Sequence, residues 1–585
     1  MKKSLKFIIN AISLLSLVGC RFNVSSSELP LSSESSSMNE SSSESSSHTS
    51  SESSSESSSE SSSHTSSESS TTSSNSSDSD DTNNDFEIED EFDFYRTVEF
   101  DSQGGSAISS KEVFEGDKVT KPTDPVKSGY IFDGWYLDGV VYNFNDPVYF
   151  DITLKAKWKV EDNVVVETVN FTNSLNVDGP LTTEALPSKA TNGNNPKVLV
   201  FPVRLQSTYD ASKYQTYLDD IEIAFNGTET QTGWESVKSY YNESSYGNVN
   251  LDITVWDEWF YDSSITPSKV QNTDDDYYDG TSDYDGPSYV IDKILDKYDS
   301  QIDYSQYDSD GDDCIDAIWL IYDYPVDYED SSSVYWAFVT QFSVDKEIDG
   351  VYPNYYGWAG VDFMYEESNT YDQTNIIVDA HTYIHETGHL FGLDDYYDYD
   401  ESNGANRGMY AADMMDYNVG DHCSFSKLLL DWVNPKVLKG VGETTIDLKP
   451  FTTSGEFLMI ADHEVTSIYD SYYLVEFYTN DGLNKNDEPI YDGLGIRILE
   501  VNAQQNIVNG SLEWNEGEYW TGFKYDNSDT SIPQIEVLYS GSISSDGWLA
   551  SNNLYTQGET FTSDVFNLKV NSITSSNANV TITLK

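Results

Sequence analysis

Apolar residues are spread unevenly along this chain, and their spacing divides it into parts. Met1 to Cys20 sets Lys2, Lys3 and Lys6 ahead of an apolar run from Phe7 to Val18. That is the pattern of a secretory signal, too short for a comfortable membrane span. Residues 24–85 contain almost nothing apolar: they are Ser with Glu, Asp, Thr and Asn, including repeated SSSES units. Such a stretch cannot offset its chain entropy and is expected to be a disordered stalk. At about 5–6 Å × √n, its roughly 70 residues reach some 45–50 Å, further with charge repulsion. From Tyr95 to Lys159 short alternating runs punctuated by turn glycines predict strands, with Trp135 and Trp158 as core anchors of a small β-grasp-like module. From Lys197 strand-like and helix-like periods mix, predicting an α+β unit. After about Leu438 the pattern turns to β in TTIDLKPF, SYYLVEFY, GLGIRILEV, FNLKVNSI and VTITLK.

These patterns give expected boundaries. Residues 1–19 are a signal peptide, 20–94 a stalk, 95–159 a β module and 160–195 a linker, itself a candidate pro-segment. Residues 196–438 are the α+β unit, and 439–585 a β-rich region packing on it. Composition adds a compartment and excludes some partners. A formal net charge of −70 and a pI near 4.1 argue against nucleic-acid binding and against docking on anionic lipid. Of three cysteines, Cys314 and Cys423 lie in the α+β unit, where a disulfide and two buried thiols are equally compatible with the sequence.

The densest chemistry lies in His385 to Asp395, HETGHLFGLDD. The preceding TNIIVDAHTYI predicts a buried helix, with Ile376, Ile377, Val378 and Ile384 apolar and Asn375 as N-cap. On a helix, His385 and His389 project from one face, close enough to share one tetrahedral ion. Glu386, rotated about 100° from His385, lies beside that ion and can take a proton from a bound water. Gly392 tolerates positive φ, so the chain can stop its helix, reverse and return Asp395 as a third ligand. Asp394 is the rival for that position; spacing favours Asp395. His381, one turn earlier, reads as a packing or supporting residue. The bland alternative, a helix with two surface histidines, leaves Gly392 and Asp395 unexplained. The pattern predicts a zinc hydrolase site.

Asp308, Asp310, Asp312, the Cys314 carbonyl and Asp316 place oxygen atoms at alternate positions, with Gly311 allowing a tight turn. This matches the first half of a calcium loop, in a stabilising role. Asp313 stands where a glycine is usual and Trp319 where a glutamate is expected, so a solvated acidic loop is the competing reading.

The extended HExxHxxGxx-acid pattern resembles the immune inhibitor A family of secreted bacterial metalloproteases, metzincin-like zincins. Further similarity lies in WESVKSYYNESSYGNVNLDITV (Trp234 to Val255), YDSDGDDCIDAIWLIYD (Tyr307 to Asp323), MMDYN (Met414 to Asn418), SFSKLLLDWVNPKVL (Ser424 to Leu438), YYLVEFY and GLGIRILEVN. Together these run from about Lys197 to about Val501. The resemblance implies a zincin-like catalytic domain hydrolysing peptide bonds, with His385, His389 and Asp395 on zinc and Glu386 as general base, then general acid. It also implies Met415 as an apolar floor and Tyr417 as a contact to metal or oxyanion. The family often has proline where Asp394 stands, which leaves the acid ligand open. Residues 95–159 resemble the Listeria–Bacteroides repeat of bacterial surface proteins. Leu17 to Cys20, LVGC, resembles a lipobox, implying lipidation of Cys20 and tethering to the outer face of the bacterial membrane; a monomer is expected, on no sequence signal of its own. Its substrates would be proteins or peptides, including extracellular or glycosylated host proteins. Two other readings stay open: a surface adhesin with an inactive peptidase-like domain, and a zinc hydrolase of non-peptide amides.

Overall fold

The computed structural model describes residues 94–171, 186–208, 210–271, 286–326, 333–344, 346–365, 377–398, 409–410, 412–416, 419–487, 493–505, 507–508, 511–512, 523–525, 527, 532–543 and 549–585. The expected signal peptide, Cys20 and nearly all of the stalk lie outside them. Two compact units are present: the smaller takes Gly134–Lys157 and described residues up to Pro125, the larger Val126–Asp133 and Trp158–Lys585.

Strands Tyr95–Asp101, Lys111–Phe114, Tyr130–Leu137, Val140–Val141 and Ile152–Val160 form a five-stranded sheet. Its spatial order is second, first, fifth, third, fourth, and its first and fifth strands run parallel. Trp135 is buried, with Phe100 edge-on at 5.0 Å. Trp158 is only half-buried, against Phe132 at 5.4 Å, so of the two expected anchors Trp135 alone is a core residue. No helix occurs among the described residues of this module.

In the larger unit KVLVFPV and AIWLIY are unbroken apolar runs, the mark of strands covered on both faces. They are the strands Lys197–Val203 and Ala317–Tyr322 of a five-stranded sheet with Asp252–Val255 on one side and Tyr355–Gly360 on the other. These four run parallel, and Phe338–Gln341 adds an antiparallel edge. Alternate residues feed two cores. Val198, Val200, Trp319 and Ile321 face one that includes residues of the helices Ala211–Asn226, Val237–Ser244 and His381–Leu390. Leu199, Phe201, Leu320 and Tyr322 face the other, under the helix Gly286–Tyr298.

The C-terminal part is two stacked sheets. One has six strands, in the order Ile535–Leu538, Gly495–Asn502, Ser471–Tyr478, Phe457–Ile460, Lys436–Lys439, Val165–Thr168. The other has four: Gly442–Leu448, Asn577–Leu584, Phe566–Thr574, Thr560–Thr562. Leu458, Val475 and Ile498 meet Leu568, Val570 and Ile582 between them. On its opposite face the six-stranded sheet sends Met459, Leu474, Leu499 and Val537 into the same core as the helix His381–Leu390. The boundaries drawn at 160–195 and at 438 therefore do not follow the fold. Val165–Thr168, read as linker, pairs with Lys436–Lys439, read as the end of the α+β unit. Pairing between strands so far apart in sequence leaves no local trace in either segment.

Candidate metal centre

The helix His381–Leu390 begins later than its apolar lead-in predicts. Ile377 is 65% exposed, and its N–H donates to the Thr232 carbonyl at 2.7 Å rather than into a helix. Asn375 and Ile376 lie outside the described residues. The N-cap is Ala380, and the carboxylate of Asp379 before it accepts the His381 N–H at 2.9 Å. The buried face of the helix carries Tyr383, Ile384, Thr387, Gly388 and Leu390 and packs on the strands Tyr355–Gly360 and Phe338–Gln341. Tyr383 Oη donates to the Gly360 carbonyl at 2.7 Å, and Tyr241 Oη to that of Ile384 at 2.6 Å. At the C-terminus the Gly392 N–H reaches the His389 carbonyl at 2.8 Å and the Leu393 N–H that of Gly388 at 3.0 Å. Gly392 has φ +87°, so glycine is required for this reversal.

The reversal brings Asp395 back over the helix. Its Oδ1 lies 3.0 Å from His385 Nε2 and 3.3 Å from His389 Nε2. His385 Nδ1 is 2.9 Å from the Met414 carbonyl oxygen and His389 Nδ1 2.8 Å from that of Leu393. Each imidazole thus carries its hydrogen on Nδ1 when neutral and aims the Nε2 lone pair at the shared point. Tyr397 Oη donates to Asp395 Oδ2 at 2.8 Å, leaving Oδ1 to face the histidines. Asp394 turns inward, accepting the Asp395 N–H at 3.0 Å; neither it nor His381 joins the group. Tetrahedral zinc with bonds of about 2.0–2.2 Å holds its ligand atoms about 3.3–3.5 Å apart. The His389–Asp395 separation fits that spacing, the His385–Asp395 one is about 0.3 Å shorter and would have to open on binding, and three donors would leave one position of a tetrahedral ion open. Burial alone would lower His389, but the Asp395 charge overrides it and holds the imidazole up at about 10. Burial would raise Asp395, yet the His389 charge and the hydrogen bonds from both histidines keep it far below the ordinary carboxylate range. Glu386, buried beside the histidines, is pushed up by that burial despite their opposing charges.

Met415 lies beneath this helix. A Cβ built at Gly388 would come 2.5 Å from Met415 Sδ, so a glycine is needed where the methionine passes. Tyr417 lies outside the described residues. Three contributors escaped the sequence reading: Gly388, Tyr397 and Asp413. Asp413 is fully buried and accepts from the backbone of Met415 and of Cys423. Its two-residue spacing to Met415 is that of an Asx turn, a signal lost among 101 acidic residues.

In the acidic loop, the carboxylates of Asp308, Asp310 and Asp316 gather their oxygens, whereas the Asp312 carboxylate stands apart from that group. Asp312 Oδ1 instead accepts the Cys314 N–H at 2.7 Å. Asp316 accepts the N–H groups of Ser309 at 2.8 Å and Lys197 at 2.6 Å, tying the loop to the first strand of the parallel sheet. Burial pushes Asp316 up to about 7 and Asp312 up to about 6. Cys423 is a free, buried thiol, so it does not pair with Cys314.

Among the described residues no helix is long and apolar enough to cross a membrane. Two proteins of Evansella cellulosilytica are similar over short stretches. One, named "Putative Gly-rich membrane protein", is 43% identical over 68 residues, 11% of this chain and 8% of that protein. The other, "Putative membrane protein", is 37% identical over 78 residues, 13% of this chain and 12% of that protein. The chain therefore spans only about a tenth of the length of either relative. Residues 97–157 match the Listeria-Bacteroides repeat domain family, and the five-stranded module at the head of the described chain is such a repeat.

Proposed function

We propose that this protein is a zinc-dependent endopeptidase displayed at a cell surface. The convergence of His385 Nε2, His389 Nε2 and Asp395 Oδ1 beside a buried Glu386 carries the reading. The two histidines and Asp395 would hold the ion, which when bound acidifies water and polarises a carbonyl. The remaining work falls to the chain. Glu386 accepts the proton of the attacking water and returns it to the leaving amine; burial, by raising its proton affinity, suits it to that exchange. The outer hydrogen bonds from Met414, Leu393 and Tyr397 hold the three donors in register, so little reorganisation is needed. Tyr417 would complete the site by resemblance alone. Asp308, Asp310 and Asp316 would bind calcium, bracing the loop against the parallel sheet.

Surface display draws on the repeat domain, on the names of the two similar proteins and on the lipobox resemblance at Cys20. The adhesin reading draws on the same repeat and differs in its prediction for Glu386. Purified full-length protein should degrade casein and lose that activity to a chelator. Glu386→Gln should keep its zinc while losing at least about 100-fold in rate. Wild-type turnover in that variant refutes Glu386 as the base. Zinc uptake without casein or mucin cleavage favours the non-peptide amide reading, and absence of zinc uptake leaves the adhesin.

A further inference from the structure

We infer that Asp413 is a positioning residue of this centre, holding one tight turn, 412–416, that sets both the first histidine and the neighbour of the acidic ligand. The inference rests on the metal-site reading above and extends it to a part of the chain that touches no ligand directly.

The turn has two ends. On the metal side, the Met414 carbonyl faces His385 Nδ1 at 2.9 Å, and the Met415 carbonyl accepts the N–H of Tyr396, the residue after Asp395, at 2.9 Å. The Met415 side chain lies against Gly388, the residue before His389. On the far side four groups converge on the Asp413 carboxylate. Its Oδ1 accepts the Met415 N–H at 2.8 Å and faces His422 Nδ1 at 3.3 Å. Its Oδ2 accepts the Cys423 N–H at 2.5 Å and Ser426 Oγ at 3.1 Å. The Asp416 N–H closes the turn on the Asp413 carbonyl at 2.9 Å. Arg497 Nη1, from the six-stranded sheet, donates to the Ala412 carbonyl at 2.7 Å and pairs with buried Glu476, which accepts the Ser424 N–H at 3.0 Å. The turn is thus clamped between the ligand helix and the C-terminal sheet, and Asp413 is where the clamps meet. A carboxylate suits the place because it offers only acceptors, and all four of its partners are donors. An amide of the same shape must turn one N–H toward a donor.

The test uses the full-length chain. In Asp413→Asn, zinc affinity measured against a chromophoric chelator should fall about 10- to 100-fold. The visible absorption of the cobalt-loaded protein should shift as His385 reorients, and kcat should fall with KM little changed. Ser426→Ala removes one of the four bonds and gives a smaller loss in the same direction, which keeps the test available if Asp413→Asn does not fold. Asp323→Asn is the control. That buried carboxylate accepts from Leu205 N–H at 2.7 Å, Gln206 N–H at 3.2 Å and Tyr214 Oη, and shares no hydrogen bond with the turn. It should lower the unfolding midpoint without moving zinc affinity or the cobalt spectrum. Wild-type affinity and spectrum in Asp413→Asn, or in Ser426→Ala where the former is insoluble, overturn the positioning role while leaving the metal site standing. A wild-type protein that takes up neither zinc nor cobalt overturns the metal site and this inference with it.

Discussion

The placement of Met415 beneath the helix His381–Leu390 can be tested by filling the space it occupies. In Gly388→Ala the new Cβ would lie 2.5 Å from Met415 Sδ, 3.2 Å from its Cε and 3.3 Å from Tyr241 Oη. Carbon and sulfur at ease stand about 3.5–4 Å apart, so something must move by about 1 Å. The methionine has no solvent to retreat into, and the tyrosine is held by its bond to Ile384. Two terms oppose each other. Alanine is favoured over glycine in a helix by about 1 kcal/mol, and overpacking a filled core costs about 1–3 kcal/mol. The clash should win, leaving the variant about 1 kcal/mol less stable, with weaker zinc binding because Met415 shares its turn with the Met414 carbonyl. Met415→Ala alone should cost about 2–5 kcal/mol. In that background the sulfur is gone, so Gly388→Ala should now stabilise by about 1 kcal/mol through helix propensity. The decisive quantity is therefore a change of sign between two backgrounds, read from guanidinium unfolding of the four proteins. A Gly388→Ala effect of the same sign in both would refute the contact.

Two further outcomes follow from buried carboxylates. Burial pushes Asp487 up to about 7 against the bond from Tyr478 and the charge of Arg497. The unfolded chain then releases its proton first as pH rises from about 4 to about 7, so this group should lower stability across that window by a few kcal/mol. Asp487→Asn should flatten that part of the stability–pH curve, and an unchanged slope in the variant rejects the assignment. Millimolar calcium should raise the unfolding midpoint of the wild type by binding the folded loop. Asp308→Asn or Asp310→Asn should abolish the shift; no shift in the wild type means the loop is held by its own backbone N–H donors alone.

How much could be read in advance depended on whether the cause was local. The apolar run AIWLIY marks a strand buried on both faces because burial acts on each residue separately. Gly392 announces a helix end because positive φ is a property of one residue. The four-residue spacing of His385 and His389 puts them on one face whatever surrounds them. Helix entry was harder: the run from Asn375 looked helical, yet the helix starts at His381, whose N–H is taken by the Asp379 carboxylate, and Ile377 is exposed with its N–H on the Thr232 carbonyl. Local competition between a side chain and the backbone decided that boundary.

Composition and short-range periodicity were enough to set the β module apart from the α+β region and to single out the two histidines, since each depends on residues within a turn or two of one another; the expected stalk lies almost wholly outside the described residues. Which carboxylate meets the histidines, which carbonyls orient them and what braces the turn below were settled only by folding. Asp395 rather than Asp394 faces Nε2, Met414 reaches His385 across 29 positions, and Arg497 reaches Ala412 across 85. Contacts over such separations arise from packing three layers and two sheets together, and the direction of one side chain there is chosen by neighbours the local sequence does not contain.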